Sequence, residues 1–157
     1  MKTRIQLLGL VLFGMLIIGT SCKKEEEKVE ESLGIKFTVT TSDGGSWTAS
    51  SSTGKMEGSS FVIKASKDNK EVVLTIKEFA KGTFEFDDTA NHATYTPDKT
   101  DTAKLYNSSE AADNYVKITN IHSDGSRCDG KFSFLATDSN LDVITVSGSW
   151  INVSKNK

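Results

Sequence analysis

The residues able to do chemistry are few. Two cysteines, Cys22 and Cys128, and two histidines, His92 and His122, are all the thiols and imidazoles of the chain. His122-Ser123-Asp124 contains the three side-chain types of a hydrolytic triad. Such a set has to converge in space, whereas neighbours on a strand point to opposite faces, so this triplet is badly placed to act together. No Gly-x-Ser-x-Gly elbow is present. Asp138-x-Asn140-x-Asp142 spaces side-chain oxygens at alternate positions, as calcium loops do, but lacks their glycine and closing glutamate. It reads as a polar hairpin tip, and Asp98 and Asp101 make a weaker case still. Two histidines and one remaining thiol fall short of a structural zinc site. The chain is therefore expected to be no enzyme, with no catalytic residues, no metal and no cofactor. That leaves Cys22 as a site of lipidation, and Tyr106 and Tyr115 as candidate ligand-binding residues.

Cys22 takes its meaning from what precedes it. Lys2 and Arg4 form a positive start, Ile5–Ile18 is a short run interrupted only by Gln6 and two glycines, and Gly19, Thr20 and Ser21 are small or polar. A bilayer-spanning helix needs roughly 20 apolar residues, so the run is too short to span and has the form of a signal peptide. A cysteine directly after Gly-Thr-Ser resembles a bacterial lipobox, with Gly19 standing where leucine is usual. In such proteins the leader, here residues 1–21, is cut off and the cysteine is acylated. Each buried methylene of an acyl chain contributes about 0.8 kcal/mol, and several chains together hold a protein on a bilayer. Residues 22–33 follow as the lipidated cysteine and a charged tether. Lys23–Ser32 has one apolar residue, Val29, and cannot bury enough surface to offset its ordering entropy. Its cluster Lys23-Lys24-Glu25-Glu26-Glu27 resembles the export signal of lipoproteins displayed on the outer face of the outer membrane. The expected location is the outer membrane, lipid-anchored and exposed at the cell surface.

The chain has 157 residues, of which 136 remain once the 21-residue leader is removed. The leader takes Lys2 and Arg4 with it, so 17 basic residues face 21 acidic ones, a net charge of −4. A nucleic-acid partner is excluded on that ground, because phosphate binding needs clustered excess Lys and Arg. The expected partners are the membrane, through the lipid anchor, and either a glycan or an outer-membrane protein. Charged residues at 25% and apolar residues at 36% fit a folded body. Two cysteines make no disulfide framework.

The elements that must position these residues are strands. From Gly34 onward the period is two. Ile35, Phe37 and Val39 alternate with polar neighbours, as do Phe61, Ile63 and Ala65, then Val72, Leu74 and Ile76. The same holds for Val116 and Ile118, for Phe132, Phe134 and Ala136, and for Ile144, Val146 and Trp150. Alternation of this kind puts one side of each strand on a core and the other in water. Asp68-Asn69 reads as a hairpin tip, and Ser42–Gly45, Asp87-Asp88, Asp124-Gly125 and Asp138–Asn140 as further turns. Strand signals at this spacing, without helical periodicity, predict an all-β domain over 34–157. The expected form is an antiparallel β-sandwich of about nine or ten strands, the alternative being a lipocalin-like β-barrel. By parity Cys128, Trp47, Phe132, Phe134 and Trp150 face the core, where a free thiol is inert. Tyr106 and Tyr115 fall opposite the apolar positions Leu105, Val116 and Ile118, which would expose their rings on a sheet face or in a mouth.

Several stretches follow one another in an order with its own signature. They are Gly45-Ser46-Trp47-Thr48-Ala49, Gly82-Thr83-Phe84, Ala93-Thr94-Tyr95, Gly130-Lys131-Phe132-Ser133-Phe134 and Gly148-Ser149-Trp150. Together they resemble a family of small, uncharacterised β-rich lipoproteins of Bacteroidota, over most of residues 35–153. The closing aromatic, commonly Phe, is Trp150 here. The resemblance implies a β-sandwich or lipocalin-like antiparallel fold on an anchored lipoprotein. It transfers no catalytic residues.

Overall fold

A computed structural model describes residues 34–87 and 89–156. The expected leader (1–21), the lipidated Cys22 and the tether (22–33) lie outside the described residues. Alternation becomes strand almost wherever it occurs. The strands are β1 (Lys36–Thr41), β2 (Ser46–Thr48), β3 (Ser51–Glu57), β4 (Ser60–Lys67), β5 (Lys70–Ile76) and β6 (Gly82–Glu85). They continue as β7 (His92–Thr96), β8 (Tyr106–Ser108), β9 (Tyr115–Ile121), β10 (Arg127–Thr137) and β11 (Val143–Asn156). A 3₁₀ turn, Thr102–Lys104, is capped by Asp101, whose side chain accepts from the Ala103 amide.

These eleven strands, one or two more than expected, form one mixed sheet. The additional β10–β11 pairing divides it into two runs of strands, or layers, around one core: β2-β1-β11-β10-β9-β6 and β3-β4-β5-β7-β8. They are joined at two corners, where β11 meets β3 (Lys155↔Gly54) and β10 meets β8 (Ala136↔Ser108). All pairings are antiparallel except β11–β3, which is parallel over two residue pairs. The all-β fold is as expected, and the sheet is antiparallel but for that one short pairing. β3 carries no apolar alternation, and only its seven pairings to β4 make it a strand. Ile35 was expected to face inward, but it precedes β1 and is exposed.

The inner faces of both layers share one core. Phe37, Phe132 and Trp150 pack with ring centroids 5.7–6.4 Å apart, and Phe134 continues the stack to Phe86. Glycine makes this packing possible. Gly130 lies opposite Trp150, and Gly148 lies opposite Phe132. A Cβ on Gly130 would run into the Trp150 ring, and one on Gly148 into the Thr38 carbonyl and the Phe132 ring. The two Gly-x-aromatic stretches thus interlock, each glycine leaving the space that the other strand's ring fills.

At Asp129 both edges of β10 slip register. Two residues of β11, Ile151 and Asn152, bulge opposite it, and Thr119 is skipped in β9. Asn152 takes a left-handed φ of 57° there. Farther along, β10 exchanges β9 for β8 at Leu135, and the buried Asn114 spans the gap. Its amide carbonyl accepts from the Leu135 N–H at 2.8 Å, and its NH₂ donates to Ser109 O at 2.6 Å and Leu135 O at 3.4 Å.

Candidate functional site

Sequence-level candidates for chemistry are dispersed by the fold. Asp124 accepts from the Ser126 amide (2.9 Å) and hydroxyl (2.7 Å) within its own turn. His122 instead faces Asp129 across the hairpin, with Nε2 3.2 Å from Oδ1. The same carboxylate accepts from the Asn152 amide (2.8 Å), presented by the bulge, and from the Asn120 side chain (3.2 Å). Burial opposes ionisation of Asp129, but these donors outweigh it and hold the carboxyl below its ordinary value. Asp129 was not foreseen as a partner, because its pairing with His122 depends on the register of a hairpin. His92 sits exposed on β7.

Asp138 accepts from the amides of Asn140 and Asp142, both at 2.9 Å, so this carboxylate is engaged within its own hairpin tip. Asp98 likewise binds Thr100. Among the described residues no group of three His, Cys, Asp or Glu side chains is set to hold a metal. Cys128 is fully buried, and the Trp150 indole N–H points at its sulfur from 3.4 Å. Desolvation pushes its thiol up to about 11, against the Trp150 hydrogen bond, so it stays protonated and unreactive at neutral pH.

The two candidate tyrosines separate. Tyr106 is a correction: it lies on the inner side of its layer. It pairs with the buried Tyr95, ring centroids 6.2 Å apart, and packs against the core. The parity argument failed because Leu105 is not a strand residue. It is the exposed exit of the 3₁₀ turn, and β8 begins one residue later. Burial raises the Tyr106 hydroxyl above its ordinary pKa, with Asp138, Asp142 and Asp43 adding to the effect. Tyr115 does point outward, half-buried on β9.

Around Tyr115 the register assembles a surface that the linear order hides. The outward positions of the first layer line up, strand by strand, as Ser46, Thr40, Ser147, Ser133, Tyr115 and Glu85. Neighbouring strands lie about 4.8 Å apart, so this is a row of five hydroxyl side chains at near-regular intervals, closed by a carboxylate. The next row outward-facing is Thr48, Thr38, Ser149, Lys131, Lys117 and Thr83. Thr38 Oγ1 lies 3.2 Å from Ser149 Oγ, and Thr40 Oγ1 3.4 Å from Ser46 Oγ. Beside the first row, Ser133, Leu135, Thr145 and the loop 111–114 border a shallow groove of about 270 Å³. The signal in the sequence was the choice of Ser and Thr at outward positions in Lys36–Thr41, Ser46–Thr48 and residues 143–149. Only register could show that they align.

The described residues thus form an all-β domain with an extended hydroxyl face. The chain belongs to the DUF6252 family, a domain of unknown function, whose model matches residues 38–153. No curated protein and no solved structure matches it.

Proposed function

We propose that the protein is a non-enzymatic lipoprotein of the cell envelope whose β-domain binds a glycan on its hydroxyl face. In this reading Cys22 is acylated after removal of residues 1–21, and residues 23–33 hold the domain off the outer membrane at the cell surface. The family would be one of lipoproteins of Bacteroidota. The observation that carries the binding role is the row Ser46–Thr40–Ser147–Ser133–Tyr115. Hydroxyls are donors and acceptors at once, as sugar hydroxyls are, and a Tyr ring adds an apolar surface for a sugar face. A rigid sheet holds these groups in place, so little conformational entropy is lost on binding. The non-enzymatic reading is supported by carboxylates already engaged in their own turns, as at Asp124 and Asp138.

Two measurements test the two halves. Cys22→Ser should move the full-length protein from the detergent phase to the aqueous phase; if it stays in the detergent phase, the anchor is wrong. On a glycan array in mild detergent, the unaltered chain should retain particular glycans. Tyr115→Ala should weaken that retention by about tenfold, the effect of losing one aromatic contact with its hydrogen bond. An array with no hits, together with co-purification of a stoichiometric envelope protein, would replace the glycan by a scaffold role.

A further inference from the structure

The outward lysines differ in their partners. Lys64 of β4 and Lys99 of the loop after β7 converge on Glu71, at 3.9 and 3.0 Å. On the hydroxyl face, Lys131 of β10 and Lys117 of β9 stand directly opposite each other. Among the described residues neither has an ion-pair partner. Like charges directly opposite on neighbouring strands repel. Lys67 and Lys70 also face each other, but at a hairpin tip where Asp43 lies near Lys70. Of the outward acids near the Lys117–Lys131 pair, Asp129 is held by Asn152, Asn120 and His122, and Glu85 stands opposite Tyr115, one row from Lys117, at no ion-pair distance from either lysine.

We infer that the Lys117–Lys131 pair, with the Ser and Thr rows beside it, is the docking site for an anionic polysaccharide with a carboxylate on each sugar, a polyuronate. The inference rests on the glycan-binding reading above and names its ligand class. Charge complementarity selects an anion for the lysine pair. The neighbouring positions Ser149 and Thr38 in the same row, and Ser147 and Ser133 in the next, are neutral hydroxyls. A ligand that suits both must therefore carry charges and hydroxyls along one chain. A uronic acid polymer does so ring by ring, stepping by a distance close to the spacing between strands.

The test is affinity electrophoresis of the full-length protein in mild detergent through gels containing polygalacturonate, neutral dextran or dextran sulfate. Retardation by polygalacturonate alone is expected. Lys117→Gln/Lys131→Gln should lose it by about tenfold or more, and Lys64→Gln on the other layer should keep it. Rising salt should weaken the unaltered protein's retardation without any substitution. The inference is overturned by retardation in neutral dextran that survives the double substitution, in which case the glycan reading stands and the polyuronate does not. It is equally overturned if dextran sulfate substitutes fully, if Lys64→Gln is as damaging, or if the double variant changes only the protein's self-association in light scattering. No retardation in any gel, with an empty glycan array, sinks the broader reading as well.

Discussion

At the scale of single residues, the polar groups most committed to the fold are those at irregular points of the sheet. Asp129 sits where β10 slips against both neighbours, and its carboxylate receives the Asn152 amide, the Asn120 side chain and His122. Its pKa is lowered in the folded state. A depressed carboxyl stabilises the fold above the ordinary Asp range near pH 4, and that contribution is lost as pH falls through the folded value. Asp129→Asn should therefore flatten the acid limb of a stability-against-pH curve. At pH 7 it should cost about 1.5–3 kcal/mol, the range for hydrogen bonds to a charged group. Chemical denaturation at pH 7 and at pH 3 checks this: an unchanged difference between the two would rule out Asp129 as a contributor. Cys128, by contrast, was legible from parity alone, since it shares the inward face of Phe132 and Phe134.

At the scale of elements, strand existence and strand facing were largely written in the alternation of apolar residues. The exceptions share one cause. Ser51–Glu57 has no apolar side to display, and it is a strand because β4 offers it seven residue pairs. Leu105 breaks the parity count because a 3₁₀ turn ends on it, which put Tyr106 on the wrong side. Partner strands and loop ends override local pattern wherever the pattern is weak. The exchange of β9 for β8 along β10 is another event of this kind, and Asn114 fills the ladder position between them. Asn114→Ala leaves the Leu135 N–H without that acceptor and should cost about 1–3 kcal/mol. Hydrogen exchange should show the Leu135 amide losing protection more than the amides of β4 and β5. Uniform loss across the sheet would mean that Asn114 is no local plug.

At the scale of the whole molecule, the two layers depend on corners as well as on a shared core. One corner is made by the last residues of β11: Lys155 and Asn156 pair with Gly54 and Lys55. The Lys155 amide donates to Ser126 O at 2.6 Å, and its ammonium lies 4.4 Å from the Phe79 ring centre. A chain ending at Ser154 loses these contacts. It should be less stable by about 1–3 kcal/mol, a few backbone hydrogen bonds and one cation–π contact, with β3 amides exchanging faster. A truncated chain with unaltered melting would show that the core alone holds the layers together.

The amino-acid order by itself determined the class of fold, the inward faces of most strands, the hairpin at Asp68-Asn69 and the burial of Cys128. These follow from local periodicity and turn chemistry, which act over a few residues. Tertiary structure alone decided which strands are neighbours and in what register. On that depended the interlocking of Gly130 with Trp150 and Gly148 with Phe132, the capture of Asp129 by a bulge, and the alignment of hydroxyls from β1, β2, β9, β10 and β11 into rows. The reason is physical: a side chain's facing is set by its own strand, but what stands beside it is set by hydrogen bonds to chain far away in sequence.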